Sequence, residues 1–245
     1  MNVRVYPNGD LASIAAAVLI AGQVVDNPRS VLGLATGSTP LPIYRELIAM
    51  AHRGVLDFQN VTTYNLDEYA GLGPDHPCSY RRFMQENLFS HLQMRPEQIH
   101  IPNGLAEDPD AECRAYDAAI AAAGGLDLQL LGLGSNGHIG FNEPGEAFEK
   151  DTHDVRLTES TIQANARFFD APDAVPTHAY TMGIRSIMQA RRIVVVVSGV
   201  DKAAIVRQAF FGPVTPEVPA SILQMHNHVT LVADRAALSA SMDRL

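Results

Sequence analysis

The sequence predicts an α/β protein built on a largely parallel sheet flanked by helices, and three observations carry that expectation. Short β-branched runs alternate with longer helical ones along nearly the whole chain. The strand runs, "SVLGLA" and "RIVVVVSG" among them, are too continuously apolar for a sheet with one wet face and read as strands covered on both sides. With 47% of its 245 residues hydrophobic, the chain has ample apolar material for such a core.

In chain order, "VRVY" reads as the first strand and the Ala-rich stretch 10–25 as the helix that follows. "SVLGLA" leads to the helix "PLPIYRELIAMAHR", and "NVTTYNL" leads, after a loop, to "SYRRFMQENLFSHL". "QIHI" precedes the helix "DAECRAYDAAIAAAG", and "LDLQLLGLG" runs into a glycine-rich segment. "HAYTMG" precedes "IRSIMQA", "RIVVVVSG" precedes "DKAAIVRQAFF", and "HVTLVA" is followed by a short C-terminal helix. No repeat, low-complexity tract or linker interrupts this order, so residues 1–245 are expected to form one domain. The least regular stretch, 145–176, is polar and ends in prolines; it reads as a lid or an ordinary surface loop.

The formal net charge of −9 opposes binding to nucleic acid or anionic lipid, so any anionic ligand must be held by local groups. Cys78 and Cys113 are too few for a disulfide framework or a zinc knuckle, which makes a reducing cytoplasm the expected setting. The opening "MNVRVYPNGD" lacks a basic-then-apolar signal pattern, and the apolar run "IAAAVLIAG" is about half of what spans a bilayer, so no membrane association is expected.

Ligands of parallel sheets sit beyond the carboxyl ends of the strands, and four segments lie there. In "ATGSTP" (35–40), Thr39 reads as an N-cap with Pro40 in the first helical position. Backbone N–H groups around Gly37 and Ser38 then make either a phosphate cradle at a helix N-terminus or simply a tight, well-capped turn; no Gly-Lys-Ser/Thr follows as in a Walker loop. In "NLDEYAGL" (65–72), Asp67 and Glu68 follow a buried strand, where a desolvated carboxylate can accept a proton or merely cap the strand.

The third segment, "GLGSNG" (132–137), matches G-x-G-x-x-G, yet the following "HIGFNEPG" cannot start the helix a dinucleotide site needs. Its glycines suit close approach to a small ligand. His138 can exchange protons near neutral pH, with Glu143 or Asn136 fixing its tautomer, unless it is structural. No second histidine at helical spacing supports a metal. Fourth, Lys202 falls in the first turn of a helix, where a cation opposes the dipole unless an anion sits nearby, and Arg167 lies in the irregular stretch. "HNH" at 226–228 reads as a loop.

Together, "LGLGSNGHIGFNEPG", "NLDEYAGL", "ATGSTP", "NARFFD" and "SGVDKA" resemble the glucosamine-6-phosphate deaminase family, over nearly the whole chain. The resemblance implies a modified Rossmann-like fold and conversion of glucosamine 6-phosphate and water to fructose 6-phosphate and ammonia, with no cofactor. It implies that Asp67 moves the C2 proton, that His138 opens the sugar ring and that Glu143 polarises it. At Asn136 an amide can orient the imidazole but adds no charge to the relay. Ser38, Thr39, Arg167 and Lys202 fall where the family grips phosphate, with Gly37, Gly137 and Asn142 as further ligand contacts. The expected partner is therefore a small sugar phosphate, with a homo-oligomer left open. A 6-phosphogluconolactonase-like hydrolase, a non-catalytic sugar-phosphate sensor and a simple aldose–ketose isomerase are the rival expectations.

Overall fold

The strand "IVVVV" shows how the chain is layered: Ile193, Val195 and Val197 are buried in one apolar cluster, and Val194 and Val196 in another. A strand whose alternate side chains are all buried must lie inside a sheet covered on both faces. A computed structural model describes residues 1–169, 171 and 174–244. Seven strands form this central sheet: β1 (Asn2–Tyr6), β2 (Val31–Leu34), β3 (Thr62–Asn65), β5 (Ile99–His100), β6 (Leu128–Leu131), β9 (Ile193–Val197) and β10 (Val229–Asp234). Their spatial order is β1-β10-β9-β6-β2-β3-β5, and every pair is parallel.

Helices cover both faces. On one, α1 (Gly9–Asp26), α2 (Pro40–His52) and α3 (Tyr80–Asn87) contribute Ala16, Ile20, Ile43, Leu47 and Met84 to the core. On the other, α4 (Pro109–Ala122), α6 (Ile184–Met188) and α7 (Ala203–Phe211) contribute Ile120, Ile187 and Val206. Asn8 caps α1 by accepting from Leu11 N at 3.0 Å, and Asp108 caps α4 by accepting from Ala111 N at 2.9 Å.

The structure departs from the sequence reading in six respects. A second sheet, order β4-β8-β7, is antiparallel and joins β4 (Asp67–Tyr69), β7 (His153–Arg156) and β8 (His178–Thr181). The run "HAYTMG" belongs to this sheet rather than the parallel one. The stretch 145–176 is accordingly more regular than its composition suggests: it holds β7, the helix α5 (Glu159–Asn165) and a 3-10 turn (Ala166–Phe168), while Asp170, Pro172 and Asp173 lie outside the described residues. The expected C-terminal helix is a series of turns followed by a 3-10 turn, Met242–Arg244.

Thr39 occupies the N-cap position of α2, but its backbone is already helical and its side chain makes no capping bond. Finally, the apolar run in α1 is part of an 18-residue helix, long and apolar enough by length and composition to cross a bilayer. Its Ala12, Ala16, Ile20 and Val24 positions are buried at 2% exposure or less, as in the core helix of a folded domain.

Candidate active site

In the central sheet, β2 has β3 on one side and β6 on the other, so the connections leaving β2 and β6 diverge to opposite sides and open a crevice above their carboxyl ends. A cleft of about 220 Å³ lies there. Its walls come from the turn after β2, the glycine loop after β6, the end of β3, the helix α5 with Arg167, and Lys202 beyond β9.

The turn after β2 contributes Thr36, Gly37, Ser38 and Thr39. Gly37 has φ +97°, a conformation that only glycine adopts without strain, and it turns the chain into the N-terminus of α2. Because Pro40 and Pro42 carry no N–H, the backbone donors there are those of the turn itself and of Leu41, and the α2 dipole favours an anion at that end. Across from it, Lys202 lies at the boundary between a 3-10 turn (Val200–Lys202) and α7, and its ammonium donates to the Leu133 carbonyl at 2.9 Å. Burial lowers its pKa, Asp201 opposes that shift, and the nearby charge of Arg167 lowers it further. Two cations close enough to repel each other, beside a helix N-terminus, suit a multiply charged anion.

The chain runs from β3 directly into β4, changing sheets at Leu66, whose N–H bonds Leu34 O and whose carbonyl accepts from Met182 N. Tyr64 and Leu66 pack into one face of the core, so strand alternation sends Asp67 to the opposite side. Its carboxyl is 6% exposed yet lines the cleft. Burial, reinforced by the charge of Glu68, raises its pKa to about 8, against a hydrogen bond from the Thr36 hydroxyl. Such a group is a proton acceptor poised near neutral pH.

Glu68 has a different occupation. It points away from the cleft and accepts from the N–H groups of Tyr69 (2.9 Å), Tyr80 (2.8 Å) and Arg81 (2.8 Å), anchoring the first turn of α3. Burial nonetheless raises its pKa. This anchor brings Tyr80 into the cleft, stacked on Phe141.

The glycine loop after β6 is shaped by three close approaches. A Cβ at Gly134 would overlap the imidazole of His138. Gly137, at φ +91°, lies where a Cβ would stand 2.8 Å from Val218 Cγ1, and its carbonyl accepts from Ala220 N at 2.9 Å. At Gly140, φ +60°, a Cβ would meet Thr181 Oγ1 at 2.9 Å and approach Asp67 Oδ2 to 3.6 Å. The 3.6 Å approach to the carboxylate is ordinary contact; it is the Thr181 hydroxyl and the left-handed backbone that reserve this position for glycine.

His138 opens on the cleft, and behind it Nδ1 lies 3.5 Å from Glu143 Oε2. Glu143 also accepts from Asn136 Nδ2 at 2.8 Å and from Thr161 Oγ1 at 2.5 Å. Burial would raise the Glu143 pKa, but bonding to His138 and its charge, with the Thr161 and Asn136 bonds, outweigh it and bring the value down to about 2. Glu143 is thus a fixed negative charge beside an imidazole.

Of the residues singled out by sequence, Gly37, Ser38, Thr39, Asp67, His138, Arg167 and Lys202 line one cleft. Asn136 and Glu143 stand behind His138, and Asn136 Oδ1 accepts from the His138 backbone N–H at 3.2 Å rather than touching the ring. Gly137 and Asn142 are outside the lining; buried Asn142 donates to the carbonyls of Ile139 (2.8 Å) and Met182 (2.9 Å), pinning the loop to the end of β8. Sequence reasoning missed Thr36, Tyr80, Ser160 and Thr161, which also line the cleft. Thr36 sits inside a motif already recognised, whereas α3 and α5 reach the cleft only through tertiary packing. Among the described residues, no three His, Cys, Asp or Glu side chains converge as metal ligands.

The family described as glucosamine-6-phosphate isomerases/6-phosphogluconolactonase matches residues 11–232. The chain is 51% identical to a glucosamine-6-phosphate deaminase of a Thermoanaerobacter species over 243 residues, which is 99% of this chain and 96% of the relative. It is 57% identical to the enzyme of that name from Lachnoclostridium phytofermentans over 217 residues, 89% of this chain and 92% of the relative. A solved structure of a monomeric glucosamine-6-phosphate deaminase aligns with TM-score 0.95 at 47% identity, covering 98% of this chain and all of that one. A 6-phosphogluconolactonase from Trypanosoma brucei aligns with TM-score 0.77 at 19% identity, with 98% of each chain covered, and shares the fold alone.

Proposed function

The chain belongs to the glucosamine-6-phosphate isomerase/6-phosphogluconolactonase family, and from that premise we propose that it converts glucosamine 6-phosphate and water to fructose 6-phosphate and ammonia. The observation that carries this reading is that Asp67 and His138 open on the same cleft as the Ser38–Thr39 turn, Arg167 and Lys202.

The substrate phosphate takes the end of the cleft with the α2 N-terminus, Arg167 and Lys202, which leaves the sugar carbons beside the other two groups. His138 carries a proton from the anomeric hydroxyl to the ring oxygen as the C1–O5 bond breaks, giving the open-chain aldehyde. Glu143 stabilises the imidazolium formed on the way, and Asn136 holds Glu143. Asp67 then takes the C2 proton while the aldehyde oxygen at C1 gains one, giving the enolamine. It returns its proton to C1 as the nitrogen lone pair forms the C2=N bond and one N–H proton leaves, so that no proton is gained or lost overall. The resulting C2 imine adds water and expels ammonia, so the overall reaction is an isomerisation followed by hydrolysis. One carboxylate serves both carbons because C1 and C2 are adjacent. Gly137 and Asn142 support this site by shaping the loop.

In this reading residues 1–245 act as one domain, since β1 and β10, from opposite ends of the chain, pair in one sheet. The stretch 145–176 serves as the lid, since α5 and Arg167 wall the cleft. The acidic net charge and scarcity of cysteine support a cytoplasmic enzyme acting on a small sugar phosphate, without nucleic acid or membrane as a partner.

The test is to supply glucosamine 6-phosphate to the purified protein and measure ammonia alongside fructose 6-phosphate. Equal amounts of both are expected. Binding without turnover points to a sensor, a ketose product without ammonia to a simple isomerase, and hydrolysis of 6-phosphogluconolactone instead to the lactonase branch of the family.

A further inference from the structure

Glu143 touches two parts of the protein that arrive from different directions. Through Oε2 it meets Asn136 and His138 of the glycine loop. Through Oε1 it meets α5: Thr161 Oγ1 at 2.5 Å and Thr158 Oγ1 at 3.2 Å. Thr158 is also the N-cap of that helix, accepting from Thr161 N. Thr161 is buried at 4% exposure, lines the cleft and stands one helical segment before Arg167.

A threonine hydroxyl has one proton to give, and here a carboxylate receives it. A carboxylate rotates freely about its last bond unless donors hold both oxygens. Asn136 holds one oxygen from the loop side; from the helix side Thr161, the shorter contact, holds the other together with Thr158 at 3.2 Å. The plane of Glu143, and with it the direction of the oxygen facing His138 Nδ1, is set between them.

We propose that Thr161 is a positioning residue for the reaction: its hydroxyl fixes the Glu143 carboxylate behind His138, so that seating the wall segment that carries Arg167 also sets the group that opens the sugar ring. This rests on the roles assigned above to His138 and Glu143. A substrate that engages Arg167 through its phosphate stabilises the arrangement in which Thr161 reaches Glu143, which makes ring opening sensitive to a contact remote from C1.

The experiment is a double-mutant cycle on Thr161 and Glu143, with ammonia release as the readout and a thermal melt on each variant. Thr161→Val keeps the shape and removes the donor. It is expected to lower kcat roughly 10- to 100-fold, the worth of a hydrogen bond to a charged group, with KM little changed. Thr161→Ser, which keeps the hydroxyl, is expected to restore most of that loss. In a Glu143→Ala background, Thr161→Val is expected to cost almost nothing more, because the group it acts through is gone.

If Thr161→Val lowers activity by the same factor in both backgrounds, or leaves kcat at the wild-type value, the positioning role is overturned. Thr161→Ser as slow as Thr161→Val overturns it too, since a hydroxyl is then not what matters. A wild-type protein that releases no ammonia removes the parent reading and this inference with it, whereas an active wild type with additive losses removes this inference alone.

Discussion

Asp67 on β4 and Thr181 on β8 face each other across an antiparallel pair, and Thr181 Oγ1 accepts a 3.0 Å hydrogen bond from Phe141 N in the glycine loop. One buried threonine therefore keys the strand that carries the carboxylate to the loop that carries His138. The two chemical groups are held in one frame by a small sheet that lies outside the parallel one.

Replacing Asp67 with asparagine keeps the side-chain shape and removes the proton acceptor. The variant is expected to bind glucosamine 6-phosphate and to lose exchange of the C2 proton with solvent, with turnover reduced roughly 10²–10⁴-fold. Deuterium wash-out from C2-labelled substrate measures it, and exchange at the wild-type rate would reassign the base.

The raised Asp67 pKa also makes two pH predictions. With Asp67 as the proposed base, turnover requires its carboxylate form, so kcat/KM is expected to climb about tenfold per pH unit below about 8 and to level off above it. Stability runs the other way: the fold favours the neutral acid, so its contribution is complete below the unfolded value of 3.8 and is lost as pH rises through about 8. Asp67→Asn should therefore melt above wild type at pH 8, with the gap closing towards pH 4. Melting curves at the two pH values check the sign.

Arg167 and Lys202 are expected to act on phosphate. Charge-assisted hydrogen bonds contribute about 1.5–3 kcal/mol, so Arg167→Ala or Lys202→Ala should weaken glucosamine 6-phosphate roughly ten- to a hundredfold. Affinity for unphosphorylated glucosamine should hardly change. Calorimetric titration of both ligands separates the effects, and equal losses would point to a general disturbance of the cleft wall.

Gly134→Ala places a methyl group where the His138 imidazole lies. No left-handed backbone is involved at this glycine, so the ring moves rather than the fold. A displacement of about 1 Å costs on the order of a hundredfold in kcat. The melting temperature is expected to stay near that of wild type, and a large drop in it would show that the loop, not the ring, gives way.

The sequence by itself determined the parallel sheet and the loops that bear the chemistry. Apolar runs such as Ile193–Val197 can be buried only inside a covered sheet, and glycines and prolines punctuate the strand ends at "ATGSTP" and "GLGSNG". These are local signals, readable from spacing and residue type. Tertiary structure alone decided what stands around them. The polar strand His153–Arg156 has no apolar alternation to announce it, and it exists because β8 offers it hydrogen bonds. Asp67 and Glu68, adjacent carboxylates with no local distinction between them, were given separate tasks when strand alternation turned one to the cleft and the other to the N-terminus of α3. Thr161 met Glu143, and Asn142 turned inward to hold the loop, through pairings between residues distant in the chain. Such contacts are settled by packing, because a hydrogen bond across the fold leaves no periodicity in the chain that makes it.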